Sequence, residues 1–197
     1  MNNCSFQRIA CLTVVLALAG GVLCACAQSQ ARSRSHPNRI SVAVLAQEAI
    51  RAYGLMAKDD YLGAREILER IAVTDASDPV AMNALGVCAM KTGDTPLARW
   101  AFERAIDAAP DASEPHNNLG LLYEESGRFA EAIRHYEAAM QRSDDITILG
   151  NLTRTQLRMR MNSPAICKQL ERIQAEHPEQ SWRDWARYEQ VKKARSE

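Results

Sequence analysis

The chain has 197 residues with 24 basic and 24 acidic side chains, so no net field selects nucleic acid or an acidic ligand. Only 9 glycines and 3 phenylalanines, set beside abundant Ala, Leu, Glu and Arg, favour an all-α fold. Of the six cysteines, Cys4, Cys11, Cys24 and Cys26 crowd the first stretch. Cys88 and Cys167 remain, too few for a disulfide framework or zinc site, and are expected as small buried residues.

In chain order, the first element is an uncharged apolar run, Ile9 to Leu23, preceded by Arg8 and followed by the small residues of Cys24-Ala25-Cys26-Ala27. That order is the one a secretory signal requires, and the run is shorter than the ~20 residues a membrane-crossing helix needs. Two processing routes fit. Leu23-Cys24-Ala25-Cys26 resembles the bacterial lipobox, which implies a signal over 1–25 and acylation of Cys26 as the mature amino terminus. Ala25-Cys26-Ala27 also fits ordinary secretory cleavage, after Ala27. By the same resemblance, Ala27 behind an acylated Cys26 implies the outer membrane, facing the periplasm. Residues 26–40 are polar, carry three arginines and no acid, and read as a flexible tether.

The body is periodic. Asp59-Asp60-Tyr61-Leu62-Gly63-Ala64, Gly93-Asp94-Thr95-Pro96-Leu97-Ala98 and Gly127-Arg128-Phe129-Ala130-Glu131-Ala132 superpose at a spacing of 34 residues. Leu85-Gly86 and Leu119-Gly120 repeat at the same interval, as do Phe102 and Tyr136. The small residues mark places where two helices of a hairpin cross closely, and the large ones fill the gaps between hairpins. A lone hairpin would leave its apolar face wet, so stacking is compulsory. Asp78-Pro79, Thr95-Pro96 and Ser163-Pro164 each offer an oxygen at a helix cap with Pro in the first turn.

This pattern resembles the tetratricopeptide repeat family. The resemblance implies a right-handed α-solenoid of about four helical hairpins over 41–178, with repeats at 45–78, 79–112, 113–146 and a degenerate 147–178. The first repeat departs from the family with Glu48 and Arg51 where bulky residues are usual. The fourth has Thr153 in place of the small glycine, and its first helix is out of phase by one residue. Its apolar positions are Leu149, Leu152, Ile166, Leu170 and Ile173. Residues 179–197 form a last helix with Trp182, Trp185, Tyr188 and Val191 at roughly three-residue spacing, either a cap on the stack or an aromatic docking surface.

The resemblance also places the ligand groove along the first helix of each repeat. The positions there hold Asn83, Asn117, Asn118 and Asn151, with Glu124, Arg154 and Arg158 beyond. A row of amides suits an extended peptide backbone, since each offers a donor and an acceptor; the same amides can instead bond locally. Ala84 interrupts the row. The lysine-rich carboxylate clamp of some relatives is missing, because Ala49, Tyr53, Asn117 and Leu121 stand where it is expected. His36, His116, His135 and His177 are scattered singly, and no metal-ligand spacing, phosphate loop or nucleophile elbow occurs. No cofactor, metal, nucleic acid or catalysis is therefore expected. The sequence suggests a lipid-anchored scaffold that binds a protein or peptide, laid out like the outer-membrane pilus-assembly lipoproteins. The alternative is a noncatalytic adaptor or regulator of an envelope enzyme such as a peptidoglycan hydrolase.

Overall fold

The computed structural model describes residues 42–195. The expected signal, tether and Cys26 lie outside the described residues.

Nine helices occur in the described region: α1 (Val42–Met56), α2 (Tyr61–Thr74), α3 (Pro79–Lys91), α4 (Thr95–Ala108), α5 (Glu114–Glu125), α6 (Phe129–Met140), α7 (Ile146–Arg158), α8 (Pro164–Glu176) and α9 (Gln180–Ala194). Each packs on the next in chain order, giving four hairpins in series and a last helix on α8. None is long and apolar enough to cross a membrane.

Backbone geometry carries the repeat more sharply than side chains do. Asp59, Gly93 and Gly127 all adopt left-handed φ, at 60°, 82° and 72°, in the tight turn between the two helices of hairpins one to three. Gly relieves that strain twice, while Asp tolerates it in the first repeat. In the fourth hairpin the left-handed residue is Arg160, φ 55°, 33 positions after Gly127 instead of 34. The one-residue phase shift is therefore built into the backbone.

The crossings follow. An added Cβ at Gly86 would lie 2.4 Å from Phe102, and one at Gly120 would lie 2.4 Å from Tyr136. Each ring lies flat on a glycine, and both rings are fully buried. In the fourth hairpin Thr153 meets Gln169, its Oγ1 3.3 Å from Oε1, and donates to the Leu149 carbonyl at 2.7 Å. An aromatic-on-glycine crossing has become a polar one, while Leu149, Leu152, Ile166, Leu170 and Ile173 still supply a buried apolar core.

Caps differ from the sequence reading in two places. Asp78 caps α3 as expected, accepting from the Val80 and Ala81 amides. For α4 the cap is Asp94, which accepts from Leu97 N, and Thr95 is the first helical residue. A carboxylate is the stronger partner for the positive end of a helix. Ser163 makes no side-chain cap bond. Cys88 is buried as expected, and burial pushes its thiol up to about 11. Cys167 is only half-buried, with Lys193 Nζ 2.9 Å from its sulfur.

Candidate functional site

The asparagines stand on α3, α5 and α7, the first helices of hairpins two to four, and the fold brings them together as partners. Asn118 Nδ2 donates to Asn83 Oδ1 at 2.9 Å, and Asn151 Nδ2 donates to Asn117 Oδ1 at 3.2 Å. With the phase shift included, these are the same bond made twice. An amide in each repeat reaches back to the residue one place before its equivalent in the repeat preceding. Ala84 interrupts the row of equivalents but not the bonds, because Asn83 supplies the acceptor.

Local bonding therefore uses half of the amide atoms of Asn83, Asn117 and Asn118. Asn83, Asn117 and Asn118 remain half-exposed, and neither the Asn118 oxygen nor the Asn83 and Asn117 amide nitrogens have a side-chain partner among the described residues. Asn151 differs: it is 6% exposed, and its oxygen accepts from Arg154 at 3.2 Å. It acts as a strut. Val87, Met90 and Leu121 are half-buried beside these residues on the same helices.

Beyond the amides sits a charge cluster that spacing alone did not reveal as buried. Glu124 is 8% exposed. It accepts from Tyr136 Oη at 2.9 Å and from Arg154 Nη2 and Nε at 3.1 and 3.3 Å, and Arg158 Nη1 lies at 3.3 Å. Burial opposes its ionisation, but the Arg154 and Tyr136 bonds and the two guanidinium charges prevail and hold the carboxyl below its usual range. Burial, then the adjacent carboxylate, pushes the Tyr136 hydroxyl up. Tyr136 thus links the crossing at Gly120 to the Glu124 cluster. Glu125, by contrast, is exposed.

The last helix packs on α8 and reaches α7 through Trp182. Trp182 lies flat on α7, where a Cβ at Gly150 would be 2.9 Å from its ring. His177 stacks on it at 5.2 Å, Trp185 meets it edge-on at 5.4 Å, and the Arg154 guanidinium lies 5.0 Å from its centroid. Tyr188 and Val191 are exposed. On the opposite half of hairpin three, His116 is buried with neither ring nitrogen hydrogen-bonded. Its ring lies 5.8 Å from His135, which stacks on Tyr123 at 5.3 Å. Burial, aided by the Arg142 and His135 charges, lowers the His116 imidazole to about 4.

Residues 51–113 and, overlapping them, 89–145 match the family model described as Tetratricopeptide repeat. Over that stretch the helices repeat as tetratricopeptide hairpins do. The protein described as "Probable UDP-N-acetylglucosamine--peptide N-acetylglucosaminyltransferase SPINDLY" of Solanum lycopersicum is 26% identical over 124 residues, which is 61% of this chain and 13% of that protein. The chain therefore spans a small part of that relative. Among solved structures, the type III secretion chaperone SycD of Yersinia enterocolitica, in complex with a peptide of the translocator YopD, has a TM-score of 0.58 at 18% identity, covering 62% of this chain and 99% of that one. MamA 41-end from Desulfovibrio magneticus RS-1 scores 0.59 at 17% identity, covering 65% and 72%. The first tetratricopeptide domain of Spaghetti, bound to the HSP90 peptide SRMEEVD, scores 0.59 at 10% identity, covering 62% and 98%. At these identities the likeness is one of tetratricopeptide fold.

Proposed function

We propose that the protein is a lipid-anchored, noncatalytic scaffold that holds a peptide segment or partner protein in the tetratricopeptide groove, in the assembly of an envelope or pilus machine. The observation that carries the binding part is the half-used amide row. Asn118 and Asn83 orient each other, Asn151 orients Asn117, and the three half-exposed amides still present unengaged donors and an acceptor. Pre-oriented amides lower the ordering cost of gripping an extended backbone. Two of the solved neighbours hold peptides, which supports the same use of the fold here.

Capture from detergent-solubilised envelopes tests the reading. The parent chain should retain a partner that Asn118→Ala releases, with little change in melting temperature; equal capture by both sinks it. The anchor is tested separately by labelling with a fatty-acid probe, which should be lost in Cys26→Ala.

A further inference from the structure

The groove has a chemically distinct end. Arg154, Ser181, Trp182 and Trp185 line a cleft of about 320 Å³ between α7 and the last helix. Two of its walls are half-buried indoles set at 87° to each other, so an apolar side chain entering it meets both a face and an edge. Arg154 spends Nε and Nη2 on Glu124 and Asn151, which leaves Nη1 without a hydrogen-bond partner among the described residues. Arg158 is 53% exposed and touches the same carboxylate through Nη1. Two guanidiniums share one carboxylate, so the cluster carries one uncompensated positive charge beside an apolar cleft. Glu124 fixes the plane of Arg154 by two bonds and holds Arg158 through one ion pair.

We infer that this cleft is a specificity subsite for an internal apolar–acidic pair in the bound chain, a bulky aliphatic side chain between Trp182 and Trp185 with the adjoining carboxylate on Arg154 and Arg158. The inference rests on the groove reading and adds to it which sequence is selected. The amide row selects little, because any backbone satisfies its donors and acceptor; the charge and the indoles supply the selection. An internal pair is specified because the amide row accepts a chain that continues past the cleft.

The test uses the full chain in detergent micelles with Trp100→Phe, so that emission reports only Trp182 and Trp185. The probes are acetylated, amidated Gly-Ser peptides with one central Leu-Glu, Leu-Lys or Ser-Glu step. Leu-Glu should shift the emission and bind about tenfold more tightly than the other two. Arg158→Gln and Trp185→Ala should each weaken Leu-Glu about fivefold, with helical circular dichroism unchanged. Equal affinity for Leu-Glu and Leu-Lys, indifference to Arg158→Gln, or binding only when the carboxyl terminus is left free overturns the subsite. If any of these occurs while Asn118→Ala still weakens binding, the subsite falls and the groove reading stands. Binding that ignores Asn118→Ala and Arg158→Gln alike overturns both.

Discussion

A methyl group added at Gly120 must displace the Tyr136 ring, since the new carbon would sit 2.4 Å from it. The ring is fully buried and cannot swing outward. Moving it by about 1 Å also stretches the 2.9 Å bond to Glu124 beyond hydrogen-bond range. Overpacking costs ~1–3 kcal/mol, the lost bond to a buried carboxylate adds ~1.5–3 kcal/mol, and the better helix propensity of Ala returns ~1 kcal/mol. Gly120→Ala should therefore destabilise by about 1.5–5 kcal/mol. At Gly86 the ring is Phe102, with no hydroxyl to lose, so the same change should cost at most ~2 kcal/mol. Gly54 has nothing within 4 Å of its Cβ position, and Gly54→Ala should stabilise by up to ~1 kcal/mol. Urea denaturation followed by circular dichroism ranks the three. In a Tyr136→Phe background the Gly120→Ala cost should fall to the Gly86→Ala value, a coupling that a double-mutant cycle reads directly. Equal costs at Gly120 and Gly54 would refute the crossing argument; an unchanged Gly120→Ala cost in the Tyr136→Phe background would refute the link to Glu124.

The buried imidazole of His116 is held at about 4, against 6.5 for the free side chain, so the unfolded chain takes up its proton first. Stability should be complete above pH 6.5 and decline toward pH 4, by up to ~3 kcal/mol. Urea midpoints from pH 7 to pH 4.5 check this, and an identical slope in His116→Gln would assign the loss to other groups. Glu124→Gln should destabilise by ~2–4 kcal/mol by leaving Arg154 without its countercharge; a midpoint within error of the parent contradicts the buried cluster. Because the Glu124 carboxyl is depressed, its contribution is present above the ordinary carboxylate range and disappears as pH falls through the folded value. In Glu124→Gln the acid end of the stability curve should flatten. Trp182→Ala opens a void against Gly150 and should cost ~3–5 kcal/mol, with loss of the last helix visible by limited proteolysis.

The repeat and the crossings were legible because a 34-residue period and small residues such as Gly86 and Gly120 are local facts of sequence. The phase shift was legible for the same reason, and Arg160 shows where the backbone absorbs it. The asparagine pairing was not. Asn118 meets Asn83 only because neighbouring first helices bring residues 35 positions apart to one face, and their mutual rotation is set by packing. Glu124 and Arg154 were read as groove residues, but the burial of Glu124 depends on Tyr136 arriving from beneath, a contact between two helices of one hairpin that spacing does not reveal. Of the last helix, the packing of Trp182 on α7 accords with a cap, because its ring lies on Gly150.

In a stack where each hairpin touches only its neighbours, resistance to unravelling resides in the seams. The first seam is clasped by Arg65, which reaches Thr92 and Asp94, and the third by the Glu124 cluster together with an asparagine bond. The second has the single neutral bond from Asn118 to Asn83 between first helices and the Arg142 bond to the Pro110 carbonyl. A tug on the amino-terminal end of α1 would then yield at the middle of the array before its far half, and hairpins three and four would come away as one piece with the Glu124 cluster still closed.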